Sequence, residues 1–366
     1  MSELRTAAKA DRYLAAEGAV LLIECIVPAI EQIDGSSGMI GSATRKAVED
    51  TAAIVAAAAD EPGRHEKRLE RIYAAYQDDG YGYLDGIGDL WGNFCGSVDH
   101  ARSWAEKTLA SYRSIRAHNA TGYIREIDMC LSAQFFAGQY DAVIELVETE
   151  TLRMWHHERW KVLALAALDR PLDAIAYAES LRDQRYHYSA IDETCEHILR
   201  SIGEEERAYN EYALTQSVSG TYLAHYTALC KRYPNVDKRR VLLDLIARTT
   251  GDSGKWFAAA NKSNFLDIAV DLAKRGPCDP KVLTRAAQER TETHPEFSLD
   301  IALQAIAYFA DGRGFDVTSS DIRAAYLAGR TAAERLEQVG NYDDLVNAKV
   351  ARGNSFILDS LRGLRS

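Results

Sequence analysis

The chain has 366 residues, 47% hydrophobic and 27% charged, a balance that argues against wholesale disorder, a fibrous protein or a chain embedded in a bilayer. Its 54 acidic residues outnumber 43 basic ones, for a formal charge of −11, and an acidic surface opposes the counterion release that drives non-specific nucleic-acid binding. Only 7 prolines accompany abundant alanine, which favours helix, because alanine costs least in a helix and proline breaks its hydrogen-bond ladder.

Taken from the N-terminus, the longest strongly apolar stretch runs from Ala19 to Ile30 and is interrupted by Glu24. It reads as too short and too charged to span a bilayer, and the residues before it lack the basic start and cleavage site of a signal peptide. The expectation is a cytoplasmic protein with no membrane partner. Cys25, Cys95, Cys130, Cys195, Cys230 and Cys278 form no CxxC pair and read as reduced, mostly buried apolar residues. Apolar positions then recur at spacings of three and four between turn signals, predicting fifteen to seventeen helices, roughly the number that short helices of ordinary length allow. No run of period two bounded by turns predicts a strand, so the class is all-α. Gly35-Ser36-Ser37-Gly38 has the wrong spacing for a nucleophile elbow and no strand before it.

Asp78-Asp79-Gly80-Tyr81-Gly82-Tyr83-Leu84-Asp85-Gly86-Ile87-Gly88-Asp89 is the most unusual local composition. It lacks the ending of a phosphate-binding loop and the acidic spacing of a calcium loop. It reads as a helix terminator with Gly80 or Gly82 as the C-cap, followed by a closely packed glycine-rich helix; the alternative is a partner surface made by Tyr81, Tyr83 and Trp91. Asp85 and Asp89 share a helix face and read as solvated. Ser97 is placed to cap the helix that starts at Val98, with Asp99 at its positive end.

A repeat appears in the middle of the chain. Ala137-Gly138-Gln139-Tyr140-Asp141-Ala142-Val143-Ile144-Glu145-Leu146 is echoed by Leu168-Asp169-Arg170-Pro171-Leu172-Asp173-Ala174-Ile175-Ala176-Tyr177 and, more loosely, by the run from Gly203 to Ala208-Tyr209. Ala142, Ala174 and Ala208 are 32 and 34 residues apart. These segments resemble the turn and second helix of the tetratricopeptide repeat, whose period is about 34 residues. The resemblance covers residues 121–216, and Gly340-Asn341-Tyr342-Asp343 echoes the turn once more. The first helices depart from that family's pattern, with Glu158 and Lys161 where apolar residues are expected. The resemblance implies stacked helical hairpins forming an α-solenoid, tetratricopeptide-like or HEAT-like, with Tyr140 and Ala142 at packing positions.

Trp155-His156-His157-Glu158-Arg159-Trp160 invites a metal reading, but adjacent histidines point about 100° apart on a helix and do not readily face one ion. The expected role is structural, or a groove lined by Trp155 and Trp160. His187, Glu193, Cys195 and His197 are the only compact group of ligand types; Cys195 and His197 point to opposite sides of a helix, and no metal is expected there. Lys231-Arg232-Tyr233-Pro234-Asn235-Val236-Asp237-Lys238-Arg239-Arg240 is the one basic cluster. Lys231 and Arg232 suit a helix C-terminus and Asp237 an N-cap, so the cluster reads as local stabilisation; the alternative is contact with an acidic partner or a nucleic-acid phosphate. Ser319 or Ser320 is placed to cap the helix containing Ile322.

The chain therefore divides into an N-terminal helical region (1–120), a helical-repeat region (121–295) and a C-terminal cap (296–366). The function expected is a non-enzymatic scaffold that binds a protein or peptide partner, with no cofactor and no metal. The surface residues singled out are Tyr81, Tyr83, Trp91, Trp155, His156, His157, Trp160, Lys231, Arg232, Lys238, Arg239 and Arg240. Two alternatives stand beside it: an enzyme whose site is assembled from distant helices, marked by a pocket of perturbed titratable groups, and a nucleic-acid binder.

Overall fold

The apolar spacing of three and four resolves into helices throughout. A computed structural model describes residues 1–366 except 31–38, 120, 183–187, 217, 219, 250, 252, 352, 354, 363 and 365–366. Among the described residues there are twenty-two α-helical segments and no strand. The excess over the expected number comes from very short segments, and the Gly35–Gly38 run lies outside the described residues. By packing, the chain forms two units, Met1–Gly203 and Glu204–Ser366, so the boundary falls inside the 121–295 stretch.

The first unit contains α1 (Ser2–Ala10), α2 (Arg12–Ile30), α3 (Met39–Ala56), α4 (Pro62–Asp78), α5 (Gly86–Asp89), α6 (Trp91–Cys95), α7 (Val98–His118), α8 (Glu126–Phe136), α9 (Tyr140–Thr149), α10 (Trp155–Ala167), α11 (Pro171–Ser180) and α12 (Tyr188–Ser201). Its helices pack mainly on their neighbours in sequence: α1 on α2, α7 on α8, α9 on α10, α10 on α11. One core joins Ile23, Val55, Ile72, Tyr76, Trp91 and Trp104; a second joins Ile127, Leu131, Val143, Trp160 and Ala164. Among the described residues α2 alone is long and apolar enough to cross a membrane by length and composition, extending well before the Ala19 at which the apolar stretch begins. Its Glu17 and Glu24 are tied to Arg68 and Arg71 of α4 at 2.5–2.9 Å, and Ala16, Ala19, Val20 and Ile23 are buried.

The repeated turns share one backbone device. Gly138 and Asp169 adopt positive φ (74° and 61°), and the next amide reaches back five residues, Gln139 N–H to the Gln134 carbonyl at 2.9 Å and Arg170 N–H to the Leu165 carbonyl at 3.0 Å. This closes each helix in the Schellman manner. Aligning the turns on these residues shifts the predicted register by one in the first copy: the equivalent buried positions are Val143, Ala174 and Ala208, 31 and 34 residues apart. Tyr140 and Ala142 are half-buried. Glu158 and Lys161, the polar departures from the repeat, serve the α10–α11 hairpin: buried Glu158 accepts from Arg153 at 2.8 Å and from Tyr177, while Lys161 bonds Glu148 at 2.6 Å and lies over the Tyr177 ring.

The second unit contains α13 (Glu205–Arg207), which continues through a π-turn (Ala208–Tyr212) and a 3₁₀ turn (Ala213–Thr215), then α14 (Tyr222–Arg232), α15 (Lys238–Arg248), a 3₁₀ turn (Ser253–Trp256), α16 (Phe257–Lys262), α17 (Leu266–Arg275), α18 (Pro280–Arg290), α19 (Pro295–Ala310), α20 (Ser319–Arg335), α21 (Val339–Val350) and α22 (Ser355–Leu361). Its centre is α19, buried on most sides and flanked by α18 and α20. The Schellman closure recurs at Asn264, Gly312 and Glu337. The last of these places the turn at Glu337, and Gly340 lies in the first turn of α21 instead. Thr318, with Asp321, makes a capping box on α20, so the cap falls one residue before Ser319.

Of the six cysteines, Cys95, Cys130, Cys195 and Cys278 are buried, Cys230 is half-buried and Cys25 is exposed. Burial pushes the Cys130 thiol up to about 12 and Cys278 to about 11, so both stay protonated and inert near neutral pH.

Candidate functional site

The Asp78–Asp89 run ends α4 by a side-chain device. Buried Asp79 accepts the amides of Tyr81 (3.0 Å), Gly82 (3.1 Å) and Leu84 (2.7 Å), and Gly82 takes φ +78°. The terminator is therefore the Asp79 carboxylate, with Gly82 supplying the turn, rather than a glycine C-cap. The turn delivers α5, whose Gly88 lets the backbone approach α8: a Cβ there would fall 2.8 Å from the Asp128 Cβ. The glycine-rich helix thus packs closely, and it sets α5 against Asp128.

Asp128 projects from the first turn of α8 toward the start of α10. Its Oδ1 lies 3.0 Å from His157 Nε2 and 3.7 Å from His156 Nε2, and the two imidazole centroids are 4.0 Å apart. One donor atom from each residue falls within 4.8 Å of the others. The 100° divergence expected of adjacent helical residues does not keep them apart, because Asp128 sits between the two arms on a facing helix. Sequence spacing within one helix carried no sign of that third residue. The positive end of α10 also favours a carboxylate at this place. Tyr123 completes the group, donating to Asp128 Oδ2 at 2.5 Å and stacking on the His157 ring at 13°.

Tyr123, Asp128 and His156 line a cleft of about 580 Å³ together with Arg45, Glu49, Asp85, Asp89 and Arg159 among others, and His157 is buried behind Asp128. Arg159 bonds Asp89 at 2.7 Å, and Arg125 bonds Asp85 at 3.0 Å and lies over the Tyr76 ring. Asp85 is exposed, in keeping with the solvated role expected of it, whereas Asp89 is half-buried against Arg159 and departs from that role. Burial raises both carboxyls, and the arginines only partly offset it. Burial, aided by His157, pushes the His156 imidazole down; burial and Asp128 push the Tyr123 phenol up. His157 and Asp128 are 2% and 6% exposed. His157 Nδ1 and Nε2, Asp128 Oδ1 and Arg159 Nε have no aligned hydrogen-bond partner, an arrangement that native interiors avoid unless something else meets those atoms.

The other predicted surface residues disperse. Trp91 is fully buried, against Trp104 and Phe94, and Trp160 is buried against Phe135; both are core, not partner-binding, because each sits on the inward stripe of its helix. Trp155 and Tyr83 are half-buried, and Tyr81 is 70% exposed. His187 lies outside the described residues, while Cys195 faces the interior and Glu193 and His197 face solvent, as the helical geometry predicts. Among the described residues the Asp128–His156–His157 group alone has metal-ligating types gathered in this way.

In the basic cluster, Lys231 and Arg232 close α14, and Asp237 caps α15 through the Arg240 amide at 2.9 Å. Arg232 bonds Gln216 at 3.0 Å. Arg239 is paired with Asp267, and Arg240 with Glu206 at 2.7 Å. Lys231 and Lys238 are exposed. Acids thus answer the two arginines best placed to meet a phosphate. No known protein family, curated protein or solved structure matches this chain.

Proposed function

We propose that the chain is a binding protein whose hairpins stack in the tetratricopeptide manner, and that the cleft bounded by α3, α5, α8 and α10 receives a peptide segment of a protein partner. The observation that carries the reading is the mixed charge of that cleft: exposed Arg45, Glu49 and Asp85 stand at its rim, and Asp89 and Arg159 lie half-buried within. A basic side chain of the partner would meet Glu49 and Asp85, and a carboxylate or peptide carbonyl would meet Arg45. Charges arranged this way select a partner and its register more than they add affinity. A volume of this order suits a few residues of peptide or one small molecule. Support for the stack comes from the shared turn geometry at Gly138 and Asp169 and from the packing of α8, α9, α10 and α11 on their sequence neighbours. Tyr81, exposed on the loop that leads to α5, extends the recognition surface. Scattered cysteines with no CxxC pair, Cys25 standing exposed, suit a cytoplasmic location.

The test is affinity capture from the native lysate with the wild-type chain and with a Glu49→Arg, Asp85→Arg double variant, both positions being exposed. The expected result is a stoichiometric protein retained by the wild type at moderate salt and lost by the variant. Equal retention by both, or none by either, would dispose of the cleft as the docking site. One observation favours a second, enzymatic reading: the gathering of Asp128, His156 and His157 at the cleft.

A further inference from the structure

We propose that Asp128, His156 and His157 bind a divalent transition-metal ion of the zinc class through one carboxylate oxygen and two imidazole nitrogens. The inference concerns these three residues and does not depend on what the mouth of the cleft receives.

Three features point to an ion. The donor set is mixed nitrogen and oxygen, which suits zinc and its neighbours and not the all-oxygen shells of calcium or magnesium. The spacing is close to that of a coordinated set: ligand atoms on a tetrahedral ion with bonds of about 2.1 Å sit about 3.4 Å apart. Asp128 Oδ1 already lies 3.0 Å and 3.7 Å from the two histidine nitrogens, and the widest separation in the group is within 4.8 Å. His156 is the half-exposed member of the group, and its ring is the one that would turn to close that gap. Finally, the atoms concerned are unsatisfied. His157 Nε2 and Asp128 Oδ1 are buried without an aligned hydrogen-bond partner, so each loses its hydration with nothing aligned to replace it.

The surroundings support the ligands. Tyr123 holds Asp128 by its Oδ2 and leaves Oδ1 for the ion, the kind of outer contact that orients metal-bound carboxylates. The charges facing the site oppose one another: the positive end of α10 and Arg159 work against a cation, whereas Asp85 and Asp89 line the same cleft and favour one. Three protein ligands leave at least one coordination position facing the cleft, as in catalytic rather than structural zinc sites.

The experiment uses the untagged full chain, stripped with a chelator. Zn²⁺ binding is measured by calorimetry and Co²⁺ binding by visible absorption, with Mg²⁺ and Ca²⁺ as controls, for the wild type, His156→Gln and Asp128→Asn. We expect one Zn²⁺ per chain, at least about tenfold weaker in either variant, no uptake of Mg²⁺ or Ca²⁺, and cobalt bands without a thiolate charge-transfer band. Equal zinc affinity in wild type and His156→Gln, a thiolate band, or no uptake at micromolar zinc would overturn the site. Because His156 is half-exposed, its variant decides the matter even where Asp128→Asn fails to fold, and circular dichroism establishes folding in each case. Zinc uptake without peptide capture rejects the docking proposal alone; capture without zinc uptake rejects the ion alone.

Discussion

Replacing Gly92 by alanine tests whether α6 and α8 meet backbone to backbone, the contact that sets the height of α8 and hence of Asp128. A Cβ on Gly92 would fall 2.5 Å from the Phe136 Cβ and 2.5 Å from the Ser132 carbonyl oxygen, well inside the optimal separation of about 3.5–4.0 Å. Ser132 has little room to retreat, since its hydroxyl accepts the Gly92 amide at 3.0 Å and donates to the Asp89 carbonyl at 2.8 Å. Overpacking of this kind costs about 1–3 kcal/mol, and loosening the two hydrogen bonds adds about 0.5–1.5 kcal/mol each. Alanine returns at most about 1 kcal/mol of helix propensity. The expected net effect is a destabilisation of about 1–5 kcal/mol, read as a lower urea midpoint by circular dichroism. Gly340→Ala supplies the contrast, because that glycine lies in the first turn of α21 with nothing within 4 Å of the new methyl; it should raise stability by about 0.4–1 kcal/mol. A Gly92→Ala protein as stable as wild type, or two shifts of the same sign, would refute the argument.

Asp79→Ala removes the acceptor of three amides and should lower unfolding free energy by about 2–4 kcal/mol, with Asp79→Asn losing less; a change below about 0.5 kcal/mol in chemical denaturation would show that the turn holds without the carboxylate. The buried His65 imidazole, 2.9 Å from the Cys95 carbonyl, is pushed below its usual value of 6.5 by burial. The unfolded chain therefore takes up the proton first as pH falls. His65 contributes stability that is present above about pH 6.5 and lost on acidification below it. The urea midpoint should fall between pH 7.5 and 5.5, and His65→Gln should lose less over the same window; an identical slope in both proteins would rule this out.

Helix was legible because it is written locally, in spacing, in scarce proline and in caps such as Ser97, whose hydroxyl does accept the His100 amide. The turn register was harder to read. Asp169 and Glu337 occupy positive-φ positions where sequence reasoning looks for glycine, so aligning on glycine and tyrosine misplaced the first copy by one residue and the last by more. Asp79 shows the same limit at a helix end, where a side chain two to five residues from its donors does what a glycine was expected to do. For the site, His156 and His157 stood out as a pair, but the geometry that joins them comes from Asp128 and Tyr123 on other segments, and only folding supplies that distance. Trp91 and Trp160 attracted attention as large aromatics, although their helix faces point inward, where such side chains most often contribute core packing.

Arg68 sets where the first unit can be shortened. Its side chain is almost fully enclosed and answered by Glu17 at 2.7 Å and Glu61 at 3.1 Å, so α2 acts as half of the counter-charge for a cation embedded in α4. α1 has no fully buried residue, yet Leu4, Ala7 and Ala8 pack on the core, so trimming back to Asp11 removes apolar cover but leaves the counter-charges of Arg68 in place. Trimming through α2 leaves a guanidinium in the core with half its compensation gone, a change of several kcal/mol for a buried ion. The start of this unit therefore meets two separate requirements, apolar cover from α1 and a counter-charge from α2, and only the second is ionic.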